Sequence, residues 1–195
     1  QALAKIYQQL LTLEPNPEVR TNVEYRLVQI KTENLEEQMF GEFDAELDTS
    51  NTNPTALALS DEQAALAQFK QNDQQLAKLI TEYQGLLQRY PNRTDNEHLQ
   101  YQLAKALDLQ GELDESLLEM ESLLARYPNT QYLAELNFRR GEIYFNLQDY
   151  PAAISAYQQV QSAENNDKYL LNSIYMTGWS LFKLNRLPEA DKTFL

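Results

Sequence analysis

The side chains that most often carry catalysis or bind transition metals are scarce in this sequence. The chain has no cysteine and a single histidine, His98. A thiolate nucleophile and a Cys-ligated zinc site are therefore excluded, and a site built on histidine would have no second member. We expect His98 to be a surface residue. The sequence also lacks a glycine-rich phosphate loop, a Gly-x-Ser-x-Gly elbow and a His-Glu-x-x-His pair.

Acidic residues are the remaining candidates for chemistry. Asp44, Glu46 and Asp48 alternate as in the first half of a calcium loop. Such a loop requires a glycine directly after the third ligand and a glutamate at its end, where this chain has Thr49 and Thr55. A solvated acidic loop is the simpler interpretation. We therefore expect no metal, no cofactor and no catalytic residue, and we do not expect an enzyme.

The net charge limits the class of partner. Acidic residues outnumber basic ones by 29 to 16, which gives a formal net charge of -13. Nucleic-acid binding depends on clustered lysine and arginine, so this charge disfavours it. No apolar run approaches the roughly 18 residues of a membrane-spanning helix. We expect a protein or peptide partner, no nucleic acid and no membrane span in this chain, and the oligomeric state stays open.

An internal repeat of 37 residues organises the chain. The segment 113–129 aligns without gaps on 76–92, and both contain Leu-Leu-x-Arg-Tyr-Pro-Asn. Small residues, which let two helices approach each other, recur at the same spacing at Ala104, Gly141 and Gly178. Few glycines and prolines beside abundant Leu, Ala, Gln and Glu favour long helices. The repeat unit is therefore expected to be a pair of helices.

The repeat resembles the tetratricopeptide repeat, in which small, aromatic, alanine and proline residues occupy set positions. The residues that carry the resemblance are Arg140, Gly141, Tyr144, Tyr150, Ala153 and Tyr157, then Gly178, Leu187, Ala190 and Phe194. The resemblance implies an all-α fold, a right-handed α-α superhelix of antiparallel helix pairs. Three departures are the longer period, Asn165 where proline is usual, and Ser116 where alanine is usual.

Apolar periodicity and proline positions predict where the helices lie. They are expected over 1–14, 17–38, 61–89, 95–110, 113–127, 131–147, 150–164, 167–184 and from 187 onward. Ser60 and Thr94 have the spacing of a capping box and predict two helix starts. Turn formers and acids predict an irregular insertion. The expected domains are N-terminal repeat-like helices at 1–38, an acidic insertion at 39–60, and a regular array at 61–195, truncated at its C-terminal end.

One face of the first helix in each pair is the candidate binding surface. Offsets of three, four and seven residues place its side chains together. In the tetratricopeptide family this helix lines a concave groove, so the resemblance implies a partner-binding groove. Its residues would be Tyr101, Lys105, Phe138, Arg139, Glu142, Phe145, Tyr175, Trp179 and Phe182. The alternative is that these aromatic residues pack between successive first helices, and Trp179 could contact a further repeat.

These patterns predict a non-catalytic scaffold that binds a partner protein or peptide. Two alternatives remain open: a recruiting or oligomerising arm of a larger enzyme or assembly, and a structural spacer without a ligand. The segment 127–132, Tyr-Pro-Asn-Thr-Gln-Tyr, resembles linkers of repeat proteins in Gram-negative cell envelopes. This resemblance implies a periplasmic or outer-membrane-associated location within a larger envelope protein, and a cytoplasmic location is the alternative.

Overall fold

A computed structural model describes residues 2–40, 58–163 and 166–194, and within these ranges the secondary structure consists of nine helices without a strand. The predicted all-α class is therefore confirmed. The helices are α1 (Ala2–Leu13), α2 (Pro17–Phe40), α3 (Ala58–Arg89), α4 (Asn96–Gln110), α5 (Leu113–Arg126), α6 (Leu133–Asn146), α7 (Tyr150–Ser162), α8 (Asp167–Lys183) and α9 (Leu187–Phe194).

Every predicted helix end lies within three residues of the observed one, but both predicted capping boxes are wrong. Ser60 lies inside the first turn of α3, which begins at Ala58. Thr94 precedes Asp95, the actual N-cap residue of α4, and Asp95 makes no side-chain capping bond. A side-chain cap is found at α7, where Asp149 accepts a hydrogen bond from the backbone N–H of Ala152 at 3.1 Å.

The chain divides into two compact units, Gln1–Arg93 and Thr94–Leu195. Residues 61–93, predicted to begin the regular array, lie in the first unit. The acidic insertion predicted at 39–60 falls largely on 41–57, outside the described residues, as do the three acids that alternate like calcium ligands. The domain limits of 1–38, 39–60 and 61–195 therefore stay a prediction.

The first unit packs α2 between α1 and α3. Tyr83 of α3 is 1% exposed and its hydroxyl is hydrogen-bonded to that of Thr32 in α2. Burial raises the pKa of Tyr83 to about 12, so the phenol stays protonated and can serve as a hydrogen-bond donor at neutral pH. Glu24 of α2 pairs with Arg89, the last residue of α3, at 3.3 Å and accepts a hydrogen bond from the hydroxyl of Tyr90.

The second unit contains three helix pairs, α4/α5, α6/α7 and α8/α9, each built around one close contact. A Cβ atom on Gly141 would lie 2.4 Å from the ring of Tyr157, and one on Gly178 would lie 2.5 Å from the ring of Phe194. Both rings come sixteen residues after the glycine. In the first pair the same spacing joins Ala104 to a methionine, Met120, and both are fully buried. An aromatic ring therefore packs where the first helix has glycine, and the slimmer methionine packs where it has alanine.

Ser116 shows why this chain departs from the usual alanine of the repeat. Its side chain is completely buried between α4 and α5. The hydroxyl donates a hydrogen bond of 2.9 Å to the backbone carbonyl of Ala104. A buried hydroxyl is costly unless it is paired, and this bond satisfies it. Serine at this position therefore links α4 and α5 where the two helices approach each other most closely.

The turn inside each pair also repeats every 37 residues. Gly111, Gln148 and Asn185 have φ angles of 83°, 63° and 59°. In each turn the next N–H bonds the carbonyl five residues earlier, for example Glu112 to Leu107 at 2.9 Å. This is a Schellman turn, which requires a left-handed residue. Glycine adopts that conformation without strain, whereas a residue with a Cβ does not.

We predict that Gly141→Ala destabilises the second unit by about 1–3 kcal/mol, because the new methyl group must displace the ring of Tyr157. Adding Tyr157→Met, which copies the pairing of Ala104 with Met120, should recover part of the loss. Gly85→Ala is the control, because nothing lies within 4 Å of that position, and it should stabilise by roughly 1 kcal/mol. Urea unfolding measures all of these variants. Equal effects at the two glycines would contradict the close contact.

We predict that Gln148→Gly stabilises the chain by about 1 kcal/mol, because it relieves a left-handed backbone. The same change at Gln159, inside α7, should destabilise by roughly the same amount. Thermal unfolding of the two variants provides the measurement. Changes of the same sign would show that the left-handed conformation carries no strain.

Candidate protein-binding site

The predicted groove residues lie on the first helices α4, α6 and α8, but those of α4 and α6 contact other residues of the same unit. Tyr101 is only 7% exposed because the ring of Tyr132 stacks on it, with centroids 3.9 Å apart and an interplanar angle of 8°. The ring of Phe138 packs against Tyr169 at 5.4 Å and against Tyr157 at 5.9 Å. Both residues therefore hold successive helix pairs together.

The charged groove residues of α6 are also paired within the unit. Arg139 donates hydrogen bonds of 3.0 Å to Asp108 of α4 and to Glu135 of its own helix. Glu142 accepts a hydrogen bond from the hydroxyl of Tyr157. These carboxylates already accept hydrogen bonds from groups of the same unit. A ligand would have to compete with the pairs, so they are better suited to holding the repeats than to anchoring a partner.

The two remaining residues of these helices contact aromatic rings. The ammonium group of Lys105 lies 5.3 Å from the centroid of the Tyr101 ring, within the range of a cation–π interaction. Phe145 packs edge-on against Tyr150 at the start of α7, with centroids 5.4 Å apart. All six groove residues predicted on α4 and α6 thus contact neighbouring side chains of the second unit.

Burial and hydrogen bonding control the ionisation of these groups. Burial raises the pKa of Tyr157, and the hydrogen bond to Glu142 raises it further. Burial alone would also raise the pKa of Glu135, but the hydrogen bond and charge of Arg139 outweigh it, so the pKa of Glu135 lies below its ordinary value. Both shifts keep the pairs of α6 in the charge state that the hydrogen bonds need at neutral pH.

The three predicted residues of α8 differ from the others because they expose much of their side chains. Tyr175 is 55% exposed, Trp179 is 37% exposed and Phe182 is 50% exposed. Phe194 of α9, 46% exposed, joins them. The ring centroids of Trp179 and Phe182 lie 5.5 Å apart, and those of Tyr175 and Phe194 lie 5.8 Å apart. We call these four residues the aromatic face.

The aromatic face is suited to binding another polypeptide. Its rings contact one another edge to face, the arrangement that aromatic pairs prefer, so the surface is preorganised. Rigid aromatic side chains offer a large contact area at a small entropic cost, and they are enriched where proteins bind proteins. The face consists of aromatic rings, so its chemistry is mainly that of apolar contact.

Sequence reasoning missed three residues that matter here. Phe194 was assigned to the repeat but not to the surface, and the stacking roles of Tyr132 and Tyr169 were not recognised. The signal was present, because these tyrosines are themselves 37 residues apart. His98 is a correction: it is half-buried rather than on the surface, and its Nδ1 is hydrogen-bonded to the hydroxyl of Tyr132 at 2.8 Å.

The described ranges contain no group of three or more His, Cys, Asp or Glu side chains positioned to hold a metal ion. Within the same ranges, no helix has both the length and the apolar character needed to cross a membrane.

We predict that Glu135 makes the second unit sensitive to acid. Its pKa is held below the ordinary value of 4.5, so the ionised form stabilises the folded state above that pH, and the contribution is lost as pH falls through the lower, folded-state value. Between about pH 5 and about pH 3, the free energy of unfolding in urea should fall less for Glu135→Gln than for the wild-type chain. Glu115→Gln, an exposed change of equal charge, is the control. An equal fall in the free energy of unfolding for the wild-type chain and both variants would refute the prediction.

Comparison with known proteins identifies the repeats. A tetratricopeptide repeat family model matches residues 99–130 and 135–163, which correspond to α4/α5 and α6/α7. Comparison with curated proteins finds no match. A crystal structure from Podosopora anserina, described as a kinesin light chain with nearly identical TPR-like repeats, is similar in fold, with a TM-score of 0.50 and 13% identity over 99% of this chain and 90% of that one. The sequences of these two helix pairs are therefore similar to tetratricopeptide repeats, and the solved structure, at 13% identity, shows similarity of fold alone.

Proposed function

We propose that this chain is a non-catalytic scaffold that binds a partner protein or peptide on the first-helix side of its repeats, with the aromatic face as the principal contact. Tetratricopeptide repeats generally mediate protein–protein interactions, and the family is typically not catalytic. The observation that carries the proposal is the contrast along the repeats. The groove residues of α4 and α6 are occupied by internal contacts, whereas those of α8 present exposed rings.

The chemistry of the aromatic face favours a polypeptide over other ligands. Tyr175, Trp179 and Phe182 offer rings but no cationic group of their own, so the face has no anchor for a phosphate backbone. The net charge of -13 also disfavours a polyanion. Apolar side chains of a protein would be withdrawn from water on the rings, which is the dominant favourable term in most protein association.

An alternative function is a structural spacer, which the internal pairing of Tyr101, Phe138 and Arg139 favours. A spacer needs these contacts but needs no exposed rings. A recruiting arm of a larger assembly would use the aromatic face in the same way as the proposed scaffold. Truncation of the rings therefore separates the spacer from the two binding functions.

We also propose a cell-envelope location within a larger envelope protein, supported by the resemblance of 127–132 to linkers of envelope repeat proteins. Fractionation of the native cells tests it: recovery in the periplasmic or membrane fraction is expected, and recovery with cytoplasmic proteins would contradict it.

Changing Tyr175, Trp179 and Phe182 together to alanine should weaken partner binding far more than it lowers the stability of the chain, because these side chains are at least one-third exposed. In-cell crosslinking with mass spectrometry of the full-length protein identifies the partners, and binding of each purified partner to wild-type and variant chains measures the effect. Removal of three interfacial rings should weaken binding by at least about a hundredfold.

Leu118→Ala is the matched control, because Leu118 of α5 is a large apolar residue that is 67% exposed and lies outside the aromatic face. It should leave affinity unchanged. If the triple variant keeps every partner while its stability falls, the spacer function is correct and the binding scaffold is not.

A further inference from the structure

We propose that the aromatic face binds an amphipathic helix from a partner protein, in the register with which α6 and α8 each pack on the preceding helix pair. The partner helix would carry an aromatic residue that stacks on Tyr175, followed seven residues later by an apolar residue that packs on Phe182. This inference rests on the proposed function and specifies the chemistry of the partner.

The register is recorded twice within the second unit. Tyr132, which directly precedes α6, stacks on Tyr101 of α4. Tyr169 of α8 packs on Phe138 of α6 at the equivalent position, with the rings tilted by 34° and their centroids 5.4 Å apart. We call the ring of the following helix pair the incoming ring and the ring on which it packs the receiving ring. In both cases the incoming ring comes 31 residues after the receiving ring. Tyr175 is the next receiving ring in this series, and it is 55% exposed.

A second contact fixes the orientation of the incoming helix. Seven residues after the receiving ring Tyr101 comes Asp108, and seven residues after the incoming ring Tyr132 comes Arg139. These two side chains form an ion pair of 3.0 Å. An incoming helix therefore runs so that both contacts are made, two helical turns apart.

The residue types at the two positions of this second contact change along the repeats. The place of Asp108 is taken by Phe145 in α6 and by Phe182 in α8. The place of Arg139 in the incoming helix is taken by Met176 in α8. The repeat spacing thus matches an apolar incoming residue with a phenylalanine at the next junction, whereas the incoming residue paired with the aspartate is cationic. By this pattern the partner of Phe182 is apolar.

The exposed area is large enough to matter. Aromatic side chains bury about 150–250 Å² each when covered, so four half-exposed rings present roughly 400 Å². This is comparable with the largest apolar patch on a typical monomer, which is often functional. The stacked ring Tyr101, at 7% exposed, shows how far an incoming helix covers such a position.

Two peptides from this chain supply the test. The segment 166–178 contains Tyr169 and Met176, and the segment 129–141 contains Tyr132 and Arg139 at the same positions. Neither contains tryptophan, so Trp179, the only tryptophan of the chain, reports binding by its fluorescence. Both peptides have the same length and pay a similar cost of helix formation, so the comparison concerns the contacts.

The wild-type chain should bind the 166–178 peptide, with a shift of Trp179 emission to shorter wavelength. The same peptide with Tyr169→Ala should bind about tenfold more weakly, because the ring stack is lost. The decisive variant is Phe182→Asp, which recreates the environment of Asp108. It should change the ratio of the two affinities by about tenfold in favour of the 129–141 peptide, whose Arg139 then gains a partner.

Leu118→Asp, the same change at an exposed residue of α5, is the control and should leave the ratio unchanged. An unchanged ratio in Phe182→Asp would overturn the proposed register. A Trp179 shift that depends on chain concentration without peptide would mean that a second copy covers the face, which also overturns the proposal. If the triple alanine variant loses its natural partner while both peptides bind equally to the wild-type chain, protein binding stands and the register fails.

Discussion

The close contact between a small residue and a bulky one sixteen positions later determines the geometry of each repeat. Gly141 brings α6 so near to α7 that no Cβ fits beside the ring of Tyr157, and Gly178 does the same against Phe194. A close-packed interior transmits such a constraint, because it cannot deform gradually. The opposite face of the first helix is thereby left for the ring contacts and ion pairs between repeats.

Contacts between repeats and the proposed contacts with a partner use equivalent positions on the first helices. The rings of Tyr101 and Phe138 receive Tyr132 and Tyr169 from the following helices, which withdraws both from solvent. Tyr175 has the same position in its repeat and keeps 55% of its surface exposed. The two expectations for the groove, partner binding and packing between repeats, are therefore not exclusive. Packing describes α4 and α6, and binding is the function that we propose for α8.

The sequence predicts the elements of this fold better than its contacts. Helix ends could be placed because the 37-residue period and the prolines mark them, and Gly141 was recognised because only a small residue recurs there. The left-handed turns at Gln148 and Asn185 were missed, since neither residue type requires a positive φ and only the bond pattern of the turn imposes it. The stack of Tyr132 on Tyr101 was missed because it joins residues 31 apart, a spacing that depends on how pairs pack and not on the repeat period.

Variation at one position of the contact between repeats distinguishes one junction from the next. In a repeat protein each unit contacts only its neighbours, so the interface chemistry must distinguish one neighbour from another. If α8 were to pack on α4, it would place Met176 against Asp108 and leave the carboxylate without Arg139, which is costly at a partly buried site. If α6 were to pack on α8 instead of α4, Arg139 would face Phe182 and lose its ion pair with Asp108. A charged pair at one junction and apolar residue types at the next therefore favour a single order of the helices. By the proposed register, Phe182 would discriminate between partner helices in the same way.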